Sequence, residues 1–164
     1  MPLPVRSTDE TGNIDDRSGG KEDEEQPRYG IDVQQRTTDE PLYRSDNRSP
    51  DVIFEEGFQP RDPSYEDLVD YVENDTNSVF VGTSQRDDIG EEIGGSYTYE
   101  IDIDGGIDVN ASMGPHSFSY EREIVFPGGI ASEDIVGARS YNYATGELGD
   151  FIPNPHYRPR SAGD

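Results

Sequence analysis

Tyr120-Glu121-Arg122-Glu123-Ile124-Val125-Phe126-Pro127-Gly128-Gly129-Ile130 is the stretch from which the whole chain can be read outward. Ile124, Val125 and Phe126 form a short apolar run that predicts a buried strand, and Pro127-Gly128-Gly129 closes it with strong breakers. Because a strand repeats every two residues, Glu121 and Glu123 are expected on one side of it, with Cα atoms roughly 6–7 Å apart. Carboxylates that close raise each other's cost of ionisation. Solubility gains little from such a pair at the mouth of a buried strand, whereas a site that handles a cationic centre gains much. The plainer reading, two solvated residues at an exposed strand start, asks for nothing beyond the acidity of the chain.

That acidity is pervasive. The 164 residues suit one domain, but only 30% are hydrophobic, so part of the chain is expected to lie outside the core. Thirteen basic residues against 36 acidic ones give a formal charge of −23. This charge opposes loose attachment to nucleic-acid phosphates or anionic lipid. Lys21 is the only lysine, which a bias of composition explains most simply. Without cysteine there is neither a disulfide framework nor a thiolate metal site, and with only His116 and His156 no His-rich metal centre is expected. No apolar run has transmembrane length, and the N-terminal residues lack the apolar core of a signal peptide. A signal already removed, or a longer parent polypeptide, is consistent with this.

Along the chain, residues 1–40 show almost no apolar periodicity and are expected to form an acidic leader, disordered or loosely docked. A catalytic-sized unit over 41–150 follows, then an extended tail over 151–164 marked by Pro153, Pro155 and Pro159. Within the unit, Leu42-Tyr43-Arg44 predicts an opening strand, with Arg44 where the strand gives way to loop. Ser49-Pro50-Asp51 starts a helix that Gly57 ends. A second helix is read from Ser64 onward, with Tyr65, Leu68, Val69 and Val72 on one apolar stripe and an end near Asn74. Tyr71 falls off that stripe and reads as surface cover or, less simply, as a stacking partner for a flat ligand.

Val79-Phe80-Val81 predicts a buried strand running into Gly82-Thr83-Ser84, and the alternation of Tyr97, Tyr99, Ile101 and Ile103 predicts a half-buried one. Residues 114–120 form a loop leading to the glutamates, and Ile135–Arg139 a closing strand. Asp102, Asp104, Asp108 and Asn110 suggest calcium, but the calcium-loop spacing fails because glycine stands at 106, where an acid belongs. The sum is an α+β fold of mixed sheets with short helices near the front. No glycine-rich dinucleotide or phosphate loop, zinc pattern or serine-hydrolase elbow occurs.

Arg44 in Leu-Tyr-Arg-Ser-Asp, Thr83-Ser84 at the end of a buried strand, and Glu121-Arg122-Glu123 stand in an order that resembles the R-S-E class of mono-ADP-ribosyltransferase toxins. This is the group of the cholera, heat-labile and pertussis toxin catalytic chains. The resemblance covers roughly residues 41–140, and Ile107–Ser112 is similar to a segment upstream of that family's glutamates. Pro127-Gly128-Gly129-Ile130 is similar to the same strand end in scabin, a DNA-directed relative.

The resemblance implies the ADP-ribosyltransferase fold around an NAD cleft, NAD as co-substrate and no metal. It implies that Arg44, with Ser45 beside it, binds the NAD phosphates and ribose, a task suited to a permanently charged planar fork. Thr83 and Ser84 would hold the catalytic strand by hydrogen bonds. Glu123 would engage the nicotinamide ribose and stabilise the oxocarbenium ion, and Glu121 would orient and deprotonate the acceptor. Residues 114–120, with Phe118 and Tyr120, would form the substrate-recognising turn. Gly82 departs from the family's Ser-Thr-Ser, so one hydrogen bond to the site is missing or supplied elsewhere.

Relatives that modify guanine, such as scabin and pierisin, carry glutamine where Glu121 stands. A carboxylate there suits an arginine acceptor, as does an acidic chain. The expected activity is therefore NAD-dependent arginine mono-ADP-ribosylation by a toxin or effector that is secreted or delivered into a target cell. Transfer to guanine and plain NAD hydrolysis are the enzymatic alternatives, and a degenerate member that only binds a partner is the non-enzymatic one. An immunity or delivery partner belongs to the same expectation, and nucleic acid is disfavoured by charge.

Overall fold

The computed structural model describes residues 26–160. Its strands are β1 (Gln34–Gln35), β2 (Leu42–Asp46), β3 (Phe80–Ser84), β4 (Tyr97–Ile101), β5 (Ile107–Asp108), β6 (Glu123–Pro127), β7 (Ile135–Asn142) and β8 (Glu147–Pro153). They join one sheet in the order β1-β5-β6-β3-β2-β4-β7-β8. Every registered pairing is antiparallel. The α+β class is as read from the sequence, with a single antiparallel sheet where mixed sheets were expected.

The helices are short. α1 (Pro50–Glu56) has Pro50 in its first turn and ends at Gly57, as the sequence predicts, but the Ser49 side chain makes no capping bond. α2 (Leu68–Asn74) starts later than Ser64: Asp67 caps it by accepting from the Asp70 amide. Two further helical turns, α3 (Gly90–Ile93) and α4 (Val109–Met113), complete the set.

The run Ile124-Val125-Phe126 is apolar throughout because β6 is covered on both faces. Ile124 and Phe126 join one cluster with Leu42, Ile53, Phe54, Phe58, Val81 and Tyr99, which α1 covers. Val125 joins a second with Leu68, Val72, Phe80 and Val109, which α2 and α4 cover. Alternate residues of β3 divide in the same way, Val81 to the first cluster and Phe80 to the second.

The sheet is continuous except at one seam. β3 pairs with β6 through five residues and β2 with β4 through five, but β2 and β3 share only the Tyr43–Ser84 pair. Beyond that pair it is the Arg44 side chain, not a β2 amide, that reaches the Gly82 carbonyl, at 2.8 Å. The strands part there and a cleft opens.

The edges of the fold extend past the boundaries expected from sequence. Of the acidic leader, residues 1–25 lie outside the described residues, but 26–40 pack against the domain. β1 pairs with β5, Tyr29 meets Phe80 edge-on at 5.2 Å, and buried Arg36 donates to the carbonyls of Ile103 and Glu40. The proline-marked tail likewise begins inside β8, whose residues 151–153 pair with β7. Arg160 then bridges Asp102 and Asp104. Removing residues 1–36 should therefore lower the melting temperature by at least ~3 °C, because it takes away β1, Tyr29 and Arg36 together. Differential scanning calorimetry of the full and shortened chains measures this directly.

Candidate active site

The seam holds a cleft of about 910 Å³ with Arg44, Gly82, Thr83, Ser84, Glu121 and Glu123 on its walls. Sequence positions 44 and 123 thus converge on one space, from β2 and β6 on either side of β3.

Arg44 is fixed on three sides. Its Nε donates to Asp46 Oδ2 at 3.1 Å, its Nη1 to the Gly82 carbonyl, and its guanidinium lies 5.1 Å over the Phe58 ring. Asp46 also accepts from Arg48 Nε at 2.9 Å and Arg48 Nη2 at 2.7 Å. Burial alone would raise the Asp46 carboxyl, yet the bonds from Arg48 and the charge of Arg44 hold it below the usual carboxylate range. Asp46 therefore stays ionised and anchors two guanidiniums in the cleft wall. Neighbouring Ser45 is buried, with its Oγ accepting from the Gly95 amide at 2.8 Å.

Thr83 and Ser84 hold the far wall. Thr83 Oγ1 donates to the Ile124 carbonyl at 2.8 Å and Ser84 Oγ to the Glu121 carbonyl at 2.6 Å. Both bonds tie β3 to the backbone that carries the glutamates.

The two glutamates do not share a strand. Ser119–Glu121 form a 3₁₀ turn, Arg122 takes a left-handed conformation at φ 48°, and β6 begins only at Glu123. The expectation of two carboxylates on one face of a strand is corrected accordingly. They reach the same cleft by different routes, Glu123 from the sheet and Glu121 from the turn above it. Ahead of them His116 Nε2 bonds Asn110 Oδ1 at 2.9 Å, Asn110 Nδ2 donates to the Ser119 carbonyl at 3.0 Å, and Ser119 Oγ accepts from the His116 amide. Asn110, weighed from sequence as a calcium ligand, is a brace for this turn. Phe118 packs against the core and borders the cleft, while Tyr120 is exposed.

Glu123 lies at the floor of the cleft. Burial pushes its carboxyl up to about 7, with the charge of Glu121 adding to the rise and the Tyr71 hydroxyl and Arg44 opposing it. Tyr71 Oη donates to Glu123 Oε2 at 2.8 Å. The Tyr71 phenol is itself raised well above its ordinary value, first by burial and then by Glu123, so it is a neutral donor. Glu121 is raised too, by burial and by the charges of Glu92 and Asp75. Among the described residues no group of three or more His, Asp or Glu is arranged to hold a metal ion.

Sequence reading missed Asp46 and Arg48, and gave Tyr71 as surface cover or a stacking partner but not as a donor to Glu123. Asp46 carried a signal, an acid two residues after an arginine on one strand face. Tyr71 carried only its failure to fit the apolar stripe.

The single split sheet with short helices is the ADP-ribosyltransferase fold. A single-substitution variant of the scabin toxin from Streptomyces scabies superposes with a TM-score of 0.79 at 36% identity, covering 82% of this chain and 87% of that one. Scabin in complex with NADH superposes with a TM-score of 0.78 at the same identity. The chain belongs to the Scabin-like family, whose model matches residues 42–157. A guanine-specific ADP-ribosyl transferase of Streptomyces coelicolor is 38% identical over 143 residues, or 79% of this chain and 70% of that protein. Pierisin from Pieris brassicae is 34% identical over 132 residues, 71% of this chain but only 15% of the much longer pierisin.

A carboxyl whose folded value lies above its unfolded one binds more protons when folded, so its contribution to stability is present at low pH and lost as pH rises from about 4.5 to about 7. Glu123→Gln should thus be no more stable than the wild type at pH 4 and progressively more stable up to pH ~7, with no further gain above. Thermal denaturation across that range, together with a carbon-13 titration of the Glu123 carboxyl, checks it.

Proposed function

We propose that this chain is an NAD-dependent ADP-ribosyltransferase of the toxin class whose acceptor is guanine. The observation that carries the reading is the convergence of a braced Arg44 and a cleft-floor Glu123 across β3 in a Scabin-like chain. The guanine specificity of the Streptomyces coelicolor relative supports guanine.

Each side chain has a task in this scheme, and the roles follow the R-S-E pattern. Arg44 meets the NAD pyrophosphate, its orientation preset by Asp46 and Gly82, so little entropy is lost on binding. Glu123, as a carboxylate, stabilises the oxocarbenium ion as nicotinamide departs. Its high affinity for a proton opposes this at mild acidity, and the positive charge of the bound nicotinamide ring restores ionisation. Thr83 and Ser84 keep β3 and the glutamate backbone in register. Phe118 and Tyr120 border the entry of the acceptor.

Glu121 stands where the resemblance read in the sequence leads one to expect glutamine in a guanine-directed member, and it favours a second reading, protein arginine. The two acceptors share an edge. The N1–H and N2–H₂ groups of guanine present donors in the N–C–N pattern of a guanidinium, without its charge, and one carboxyl accepts from either. A raised Glu121 fits the neutral base better than the cation. A formal charge of −23 further favours guanine on a small nucleoside or nucleotide over guanine in duplex DNA. The likeness to toxins supports a role in a target cell, reached by secretion or delivery, and an immunity partner in the producing cell.

Incubation with labelled NAD and, in parallel, guanosine, DNA and agmatine tests the acceptor by mass spectrometry. The expected product is an ADP-ribosyl guanine, and modification of agmatine alone would overturn guanine in favour of arginine. Glu123→Gln should reduce nicotinamide release by ~100-fold or more. Glu121→Gln should keep NAD hydrolysis within about 5-fold and retain guanine transfer, the amide oxygen still accepting one bond. Transfer to DNA, but not to guanosine, should rise as salt is raised from ~20 to ~150 mM, because screening relieves repulsion between two anions.

A further inference from the structure

We infer that Tyr71 is a positioning residue that supplies, from α2, the hydroxyl which serine at position 82 would otherwise give to Glu123. The inference rests on the reading of Glu123 as the carboxylate that acts on NAD. The motif at 82–84 begins with Gly82, a position at which the resemblance leads one to expect serine. A Cβ built there would overlap Glu123 Oε2 and stand 2.5 Å from Tyr71 Oη. Space for a side chain at 82 is already taken by the hydrogen-bonded pair, Tyr71 Oη to Glu123 Oε2 at 2.8 Å. Position 82 and position 71 are therefore alternatives. A phenol from the helix and a hydroxymethyl from the strand cannot both reach Glu123 while it keeps its present place.

The phenol is held as a positioning group requires. Its ring lies 5.7 Å from that of Phe80 in the strand below, and the first turn of α2 is capped by Asp67. The groups that bear on Glu123 come from every element around it: Tyr71 from α2, Arg44 from β2, Glu121 from the turn before β6 and Asp75 from the end of α2. Of these, Tyr71 is the hydrogen-bond donor to the carboxylate. With its hydroxyl gone, the ionised form of Glu123 loses a bond while burial and the neighbouring acids remain.

The test compares Tyr71→Phe, Gly82→Ala, Gly82→Ser and the pair Tyr71→Phe with Gly82→Ser in the full chain. The readouts are kcat and KM for NAD cleavage against pH, and the carbon-13 titration of the Glu123 carboxyl in the protein alone. Tyr71→Phe should lower kcat by about 10-fold with KM for NAD within about 2-fold, the loss of one charge-assisted bond. The carboxyl midpoint and the acidic limb of kcat should move up together by about one unit. Gly82→Ala, which leaves both side chains present but pushes them apart, should lower kcat in the same way. The pair should regain at least ~3-fold over Tyr71→Phe alone, serine now occupying the vacated space.

An unchanged carboxyl titration in Tyr71→Phe overturns the inference. So does a Gly82→Ala variant with wild-type kcat. Should the wild type cleave no NAD, the functional reading fails, and the carboxyl titration still decides whether Tyr71 holds Glu123.

Discussion

The seam between β2 and β3 is the constraint on which the rest of the molecule depends. An antiparallel sheet satisfies its backbone groups by pairing neighbours, and a break in that pairing leaves donors and acceptors that something else must satisfy. Here the break follows a single registered pair, Tyr43 with Ser84, and an arginine side chain takes over the role of the missing strand amide at Gly82. The same guanidinium is thereby a piece of the sheet and a wall of the cleft. Its fixed charge, its bond to Asp46 and its place over Phe58 make the opening a built feature with a guanidinium held in a set orientation.

Around this seam the chain solves an electrostatic problem posed by its own acidity. A carboxyl at the floor of a cleft in a protein of charge −23 would ordinarily remain protonated near neutrality. Arg44 and the Tyr71 phenol work against that outcome, and Asp46 keeps Arg44 in place without neutralising the site, because Arg48 shares its charge. The result is a glutamate poised close to neutrality.

Much of this was legible in the sequence, and the illegible parts have identifiable causes. The strand around Ile124-Val125-Phe126 and the helix from Pro50 to Glu56 were readable because apolar runs and breakers are local signals, whereas the convergence of Arg44 with Glu123 was implied only by the resemblance that their motif order carries. β1 was lost in the leader because Gln34 and Gln35 are exposed and carry no alternation, only edge pairing. β8 was read as tail because Pro153, which marks an edge strand's end, looks the same as the start of an extended segment. Tyr71 was read as surface cover or a stacking partner, and its bond to Glu123 was missed, because a helix stripe records what faces the core and is silent on a side chain that reaches sideways into a cleft. The step from strand to turn at Arg122 was invisible, since arginine has no preference for a left-handed backbone.

That left-handed step has a consequence of its own. A non-glycine residue at φ 48° stores on the order of 1 kcal/mol of backbone strain, and it breaks the mechanical continuity between β6 and the turn before it. Glu123 inherits its aim from the sheet, whereas Glu121 inherits its own from the bracing of Asn110, His116 and Ser119. The backbone that carries position 121 is therefore held independently of the one that carries Glu123, although the charge of Glu121 still bears on the Glu123 carboxyl. Two carboxyls that look welded together in a three-residue motif thus take their aim from separate parts of the fold.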